Sequence, residues 1–255
     1  ECFDYYSNIA RFDAPKGQKY TGPIEPASSD TNQAEYEAMV KAAKQHIIDG
    51  DILQVVLSRT KLEPCPDEPL DVYKRLRQLN PSPYMFYLKL SELIICGSSP
   101  EVMVKVEGKK VMLRPIAGTR PRGRTVEEEE SFIRELISDD KEKAEHVMLV
   151  DLGRNDLGRV CSYSTVKVGN MMSVEKYSHV IHLVTDIKGS LRYGKTNVDV
   201  FKACFPAGTV SGAPKLRAIK IIDEQENLSR GPYGGSVGYF SFSGAMDMGI
   251  TIRTM

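Results

Sequence analysis

The sequence predicts an α+β fold in which large antiparallel β-sheets pack together and are flanked by helices. Strand-like runs occur in clusters joined by short turns, as in a meander. These clusters alternate with helix clusters. No internal repeat or low-complexity segment interrupts the pattern, and 255 residues suffice for one large domain or two small ones.

Residues 1–30 are rich in Pro, Gly and Ser without periodicity and read as a linker or the remnant of an upstream region. A helix follows. Asn32 caps it, Glu35 completes a capping box, and Tyr36, Met39, Val40, Ala43 and Ile47 form its apolar stripe up to Gly50. The β-branched run at 52–60 predicts a buried strand. Residues 69–79 predict a helix that Asn80-Pro81 ends. A meander is expected from Tyr84–Leu90, Leu93–Gly97, Val102–Val106 and Lys110–Arg114. Helices are expected at 126–138 and 141–158, strands at 165–168, 171–176 and 180–188, helices at 197–204 and 213–226, and strands at 236–243 and 246–253.

Lys+Arg and Asp+Glu number 34 each, which gives no reason to expect a nucleic-acid partner. No apolar run approaches the roughly 20 residues of a membrane helix, so no membrane association is expected. Five scattered cysteines (Cys2, Cys65, Cys96, Cys161, Cys204) fit neither a disulfide framework nor a zinc site. Together with the lack of a signal-like segment before residue 30, they lead to the expectation of a reducing, cytoplasmic setting in which four of them pack as small apolar residues.

Three segments carry possible chemistry. Glu142 and Glu145, three apart, share one helix face. Paired carboxylates out of water need a cation, and oxygen-only ligands suit Mg²⁺. A solvated face with Lys141 and Lys143 as salt-bridge partners has the same spacing and is the commoner occurrence. Gly208 and Gly212 precede a helix begun by Pro214, whose N-terminus and Lys215 could attract an anion; a plain capped turn explains them equally well. RGPYGG at 230–235 places a cation and Tyr233 in a second Gly-rich turn, and Arg253 ends the last expected strand, where a guanidinium can grip a carboxylate. His179 and His182, three apart on a strand, face opposite sides; His46 and His146 read as structural.

Taken together, LQVVLS, GSSPE, PIAGTRPRG, KEKAEH-MLVDLGRND, YSHVIH, PAGTVSGAPK, RGPYGG and ITIRT stand in the order found in the chorismate-utilising enzymes. The chain resembles that family over nearly all of residues 30–255, most closely its anthranilate-synthase branch. The resemblance implies a chorismate-binding catalytic domain at 31–255. It implies Mg²⁺ on Glu145 with Glu142 beside it, Glu101 as general acid toward the C4 hydroxyl, and His182 as the active-site histidine. Gln54, Gly118, Thr119, Thr209, Tyr233 and Arg253 are then the residues around the substrate. Isochorismate and salicylate synthases carry a lysine where Gln54 stands, and aminodeoxychorismate synthases carry one where Ala117 stands. An amide and a methyl group can neither deprotonate water nor form an amine adduct. The nucleophile is therefore expected from outside: ammonia from a glutamine amidotransferase subunit. The implied reaction is amination of chorismate with loss of the C4 hydroxyl, then pyruvate elimination to anthranilate, a step of tryptophan biosynthesis.

NPSPYMF at 80–86 resembles the family's segment for feedback inhibition by tryptophan, which implicates Asn80, Pro81 and Met85. Both ends look truncated by the family pattern, which continues past ITIRT to a second metal-binding glutamate, so the domain is expected to be incomplete at its C-terminus. Two other outcomes are consistent with these residues. One is an aminodeoxyisochorismate synthase, or another chorismate-utilising synthase, that retains the pyruvyl group. The other is a catalytically silent fragment that only binds.

Overall fold

The computed structural model describes residues 28–255 apart from Pro66, Glu92, Ser178 and His179. Most of the expected linker at 1–30 and His179 therefore lie outside the described residues. In chain order the elements are β1 (Ser28–Ser29), α1 (Gln33–Ile48), β2 (Gln54–Val55), β3 (Lys61–Leu62), α2 (Pro69–Leu79), β4 (Tyr84–Leu90), β5 (Leu93–Ser99), β6 (Val102–Glu107), β7 (Lys110–Leu113) and β8 (Ile116–Pro121). Then come α3 (Val126–Ser138), α4 (Asp140–Gly158), β9 (Lys167–Val168), β10 (Ser173–Lys176), β11 (Val180–Val184), β12 (Ile187–Ser190), α5 (Asn197–Cys204), a 3₁₀ turn (Gly208–Val210), β13 (Gly212–Ala213), α6 (Lys215–Gln225), β14 (Ser236–Phe240) and β15 (Met246–Ile250). Among the described residues no helix is long and apolar enough to cross a membrane.

The described chain divides into two compact units. One holds the residues up to Asp30, Thr60–Pro100 and Ile252–Met255; the other holds Thr31–Arg59 and Glu101–Thr251. In the first, β4 and β5 form an antiparallel hairpin against which α2 packs, with Tyr73 and Tyr87 rings 5.8 Å apart.

In the second unit six antiparallel strands run in the order β14-β15-β6-β7-β12-β9, and a three-stranded sheet has the order β10-β11-β8. Helix α4 packs against both sheets through β12 and β8. Val104, Val106, Val111, Ile187 and Met246 are wholly buried in or beside the larger sheet. Leu136 of α3 closes over Ile181 and Leu183 of the smaller one. Removing this apolar surface from water is the main term holding the layers together. The capping box of Asn32 and Glu35 forms as the sequence predicts, fixing the start of α1.

Several boundaries differ from expectation. The run at 52–60 is a strand only at Gln54–Val55, because its one partner, β13, is two residues long. The meander at 84–114 is two hairpins, parted at Pro100: β6 has β15, not β5, as its second neighbour, and proline cannot donate to a ladder. The run at 180–188 is two strands in different sheets, with Thr185 and Asp186 at the changeover. PIAGTRP forms a strand, β8, that its turn-like Gly and Pro content conceals. The last strand ends at Ile250, so Arg253 lies beyond it. Cys65 is exposed, leaving Cys96, Cys161 and Cys204 as the buried thiols.

Candidate active site

Glu142 and Glu145 lie in the first two turns of α4. The helix is capped by Asp139, whose carboxylate accepts from the Lys141 and Glu142 N–H groups. The expected surface pairing with Lys141 and Lys143 does not form: Lys143 turns to Asp140 at 2.7 Å. Glu142 instead lies 3.7 Å from Arg120 Nη1, and Glu145 accepts from Gln54 Nε2 at 3.1 Å. Gln54 is held in place by β13, where Gly212 lets the strands approach. A Cβ at Gly212 would sit 2.2 Å from the Gln54 carbonyl oxygen, and its φ is +141°.

Strand β8 brings Gly118 and Thr119 to the same place. Gly118 has φ +66°, and a Cβ there would meet Leu136 Cδ1 at 2.6 Å and Glu142 Oε2 at 3.3 Å. Thr119 pairs with His182 on β11, and a bulge follows between His182 and Leu183. His182 Nδ1 lies 3.1 Å from the Gly118 carbonyl oxygen and 3.1 Å from Thr119 Oγ1. A carbonyl can only accept, so Nδ1 carries a proton in this contact, and Nε2 is left for another partner. Tyr177 packs edge-on against this ring, centroids 5.4 Å apart. Ala117, opposite Leu183, is buried.

Glu101 opens the same unit. Burial raises its carboxyl from 4.5 to about 7, and the neighbouring Thr209 hydroxyl opposes that shift only in part. A carboxylic acid so placed is about half protonated at neutral pH and able to donate in that form. Thr209 stands on the 3₁₀ turn pressed against α4, where a Cβ on Gly208 would come 2.1 Å from Leu152 Cδ2. Glu101 and Thr209 share a cleft of about 50 Å³. The buried oxygen Gln54 Oε1 lacks a protein hydrogen-bond partner, as a group awaiting a ligand does.

Other expected residues are placed elsewhere. Tyr233 lines a separate pocket of about 460 Å³, with Arg230 stacked 5.5 Å from its ring centroid. Arg230 is a structural clamp, bonded to Glu226 and to the carbonyls of Val210 and Val56. Lys215 is no anion receptor: it is buried and paired with Asp156 at 2.6 Å, and the helix starts at Pro214 without a side-chain cap, so the loop is a plain turn. Arg253, Asn80, Pro81 and Met85 belong to the other unit. There Ser98 Oγ donates to the Asn80 carbonyl, and Met85 pairs with Ser98 across the hairpin. His46 bonds to Asp51, and His146 is fully buried against Thr185.

Arg120 and Asp156 were missed from sequence. For Asp156 a signal exists: it falls on the Leu149, Gly153, Leu157 stripe of α4, where a charge among apolar positions implies a buried partner.

Among the described residues no three His, Cys, Asp or Glu side chains cluster as a complete metal cage. Two half-buried carboxylates nevertheless suit Mg²⁺, which is held through one or two carboxylates while waters and substrate oxygens complete its shell.

A family model described as chorismate binding enzyme matches residues 6–255. Anthranilate synthase component 1 of Aquifex aeolicus is 55% identical over 226 residues, which cover 89% of this chain and 46% of that protein. Its counterpart from Acetivibrio thermocellus is 54% identical over 228 residues, 89% of this chain and 46% of that one. The crystal structure of anthranilate synthase component I from Streptococcus pneumoniae superposes with a TM-score of 0.84 at 39% identity, covering 100% of this chain and 57% of that chain. The chain thus spans about half the length of the curated relatives it matches.

Proposed function

Because this chain belongs to the chorismate binding enzyme family, we propose that it carries the ammonia-using chemistry of anthranilate formation. Chorismate and ammonia would give anthranilate, pyruvate and water. The observation that carries this reading is the Gln54–Glu145 contact, in a unit where Ala117 is buried: neither position offers a lysine.

Glu101, in the protonated form that burial favours, gives its proton to the departing C4 hydroxyl, which leaves as water. Gln54, its amide oriented by Glu145, presents Oε1 as an acceptor on the side where ammonia must enter. His182, its Nδ1 proton turned to the Gly118 carbonyl, offers Nε2 to take up a proton in the elimination of pyruvate. Thr209 and Thr119 hold substrate oxygens, and Gly118 lets Leu136 and Glu142 close against β8. Mg²⁺ bound by Glu142 and Glu145 would neutralise the substrate's ring carboxylate, which otherwise faces like charge.

The ammonia donor would be a glutamine amidotransferase second component, in keeping with the relatives' name, component 1. Tryptophan would act as feedback inhibitor at Asn80, Pro81 and Met85, a reading supported by the convergence of Asn80 and Met85 on Ser98. The setting is cytoplasmic tryptophan biosynthesis. Chorismate, Mg²⁺ and ammonium supplied together should yield fluorescent anthranilate and pyruvate in equal amounts. An amino product without pyruvate would point to an aminodeoxyisochorismate synthase, and no turnover with ligand binding intact would point to a binding fragment.

A further inference from the structure

His182 stands in a row across the smaller sheet, with Glu175 opposite it on β10 and Thr119 opposite it on β8. Tyr177 follows Glu175 by two residues, so it shares that face and is the diagonal neighbour of His182, a span an aromatic side chain can bridge. Its backbone N–H donates to the Val180 carbonyl at 2.8 Å, which carries the pairing of the two strands one residue beyond β10. Two further bonds fix the residue. Its carbonyl accepts from Arg122 Nη1 at 2.8 Å, and its hydroxyl donates to Glu175 Oε2 at 2.7 Å. Glu175 is itself held by Arg114 at 3.3 Å, and Arg114 by Asp186 at 2.7 Å. Burial, and then the bond to Glu175, push the phenol up to about 12, so it stays a donor. The ring anchored in this way meets the imidazole of His182 with centroids 5.4 Å apart and planes at 66°. The imidazole is therefore held from both flanks of β11: Gly118 and Thr119 take its Nδ1 on β8, and Tyr177 meets the ring from the end of β10.

We infer that Tyr177 is a positioning residue for His182: its edge-on contact keeps Nδ1 of the imidazole on the Gly118 carbonyl, which fixes one tautomer of the neutral ring and leaves Nε2 as the nitrogen offered to the substrate. An imidazole free to turn about its Cβ–Cγ bond would lose that carbonyl, and either nitrogen could then carry the proton. An edge-on aromatic pair has a preferred geometry that an aliphatic contact lacks. The inference rests on the reading of His182 as the histidine that acts on the substrate.

The test is the ¹⁵N NMR signature of the His182 ring in the full chain, assigned among the four histidines by the signals lost in His182→Gln. At about pH 8.5 an imidazole of ordinary pKa is neutral, and its two nitrogen shifts report which one carries the proton. Wild type should be protonated at Nδ1. Tyr177→Leu fills the space without an aromatic edge, and the tautomer ratio should move toward Nε2–H by at least about threefold. Tyr177→Phe keeps the edge while Arg114 keeps Glu175, and it should retain the wild-type ratio. Loss of a merely structural contact would lower the melting temperature and leave the ratio in the folded protein as it was. A wild-type ring protonated mainly at Nε2, or an unchanged ratio in Tyr177→Leu, overturns the inference. So does a Tyr177→Phe variant shifted as far as Tyr177→Leu, because the hydroxyl and not the ring would then be responsible. Should Tyr177→Leu fail to fold, Tyr177→Met is read in its place against the same outcomes. The ratio needs no turnover, so it is separable from the proposed chemistry: anthranilate formation by His182→Gln would sink the reading of His182 and leave the ratio standing.

Discussion

Gln54 Nε2 reaches Glu145 Oε1 across 3.1 Å, while the oxygen of the same amide is buried without a protein partner. One half of the side chain is used in the resting protein and the other is held for something that arrives. An unsatisfied buried acceptor costs about 1–3 kcal/mol.

Gln54→Leu removes that acceptor together with the donor to Glu145. The melting temperature should stay level or rise slightly, while ammonium-dependent kcat/KM falls at least about tenfold. A variant that keeps wild-type kcat/KM would show that the amide plays no part in the reaction.

The buried acid gives stability a pH dependence with a definite sign. Below 4.5 Glu101 is protonated in both the folded and unfolded chain. Between there and about 7 the unfolded chain releases the proton and the folded one keeps it, so stability falls as pH rises and the loss is complete above about 7. The full shift corresponds to at most about 3 kcal/mol. Glu101→Gln should therefore be more stable than wild type at pH 8 and indistinguishable from it at pH 4, by urea unfolding, and should lose at least about a hundredfold in turnover. Equal stability at pH 8 would mean that the carboxyl is solvated.

Arg120 divides its guanidinium among Glu135 at 2.9 Å, Asp139 at 3.2 Å and Glu142 at 3.7 Å. A fixed cation beside a carboxylate proposed to bind Mg²⁺ would compete with the metal. Arg120→Gln should bind Mg²⁺ roughly threefold more tightly by calorimetry, because a partly exposed pair at this distance contributes less than about 1 kcal/mol. Weaker binding in a folded variant would assign Arg120 to orienting Glu142 instead.

Gly118→Ala places a methyl group 2.6 Å from Leu136 Cδ1 on a backbone with φ +66°. Strain of this kind costs on the order of 1–3 kcal/mol, and Glu142 must also shift. The expected outcome is a lowered urea midpoint together with weaker Mg²⁺ binding. A normal midpoint would mean that β8 can relax away from α3.

Much of this architecture is legible from local pattern. Asn32 and Glu35, Pro69, and the apolar spacing of α3 and α4 set helices within a residue or two of their places, because caps and a 3.6-residue period act over a single turn. Strand partners are set by distant residues. Nothing within 84–114 tells that β6 pairs with β15, or that Thr185 and Asp186 separate two sheets. The residues expected around the substrate came from ordered motifs, and the structure brings Gln54, Glu101, Gly118, Thr119, Glu142, Glu145, His182 and Thr209 into one unit. Lys215 shows the limit: a lysine after a Gly-rich turn has the same sequence signature whether it meets a ligand or, as here, a buried aspartate 59 positions away.

The bulge between β8 and β11 makes the length of this segment more tightly constrained than its composition. Thr119 stands opposite His182 and Ala117 opposite Leu183, so Gly118 is the extra residue that lets both pairings hold. Successive strand residues face opposite sides, and losing or gaining one residue between Ile116 and Pro121 would turn Thr119 away from His182 and reverse every side chain beyond the change. Across the descendants of this chain, insertions and deletions should be purged from 116–121 more strictly than point substitutions are.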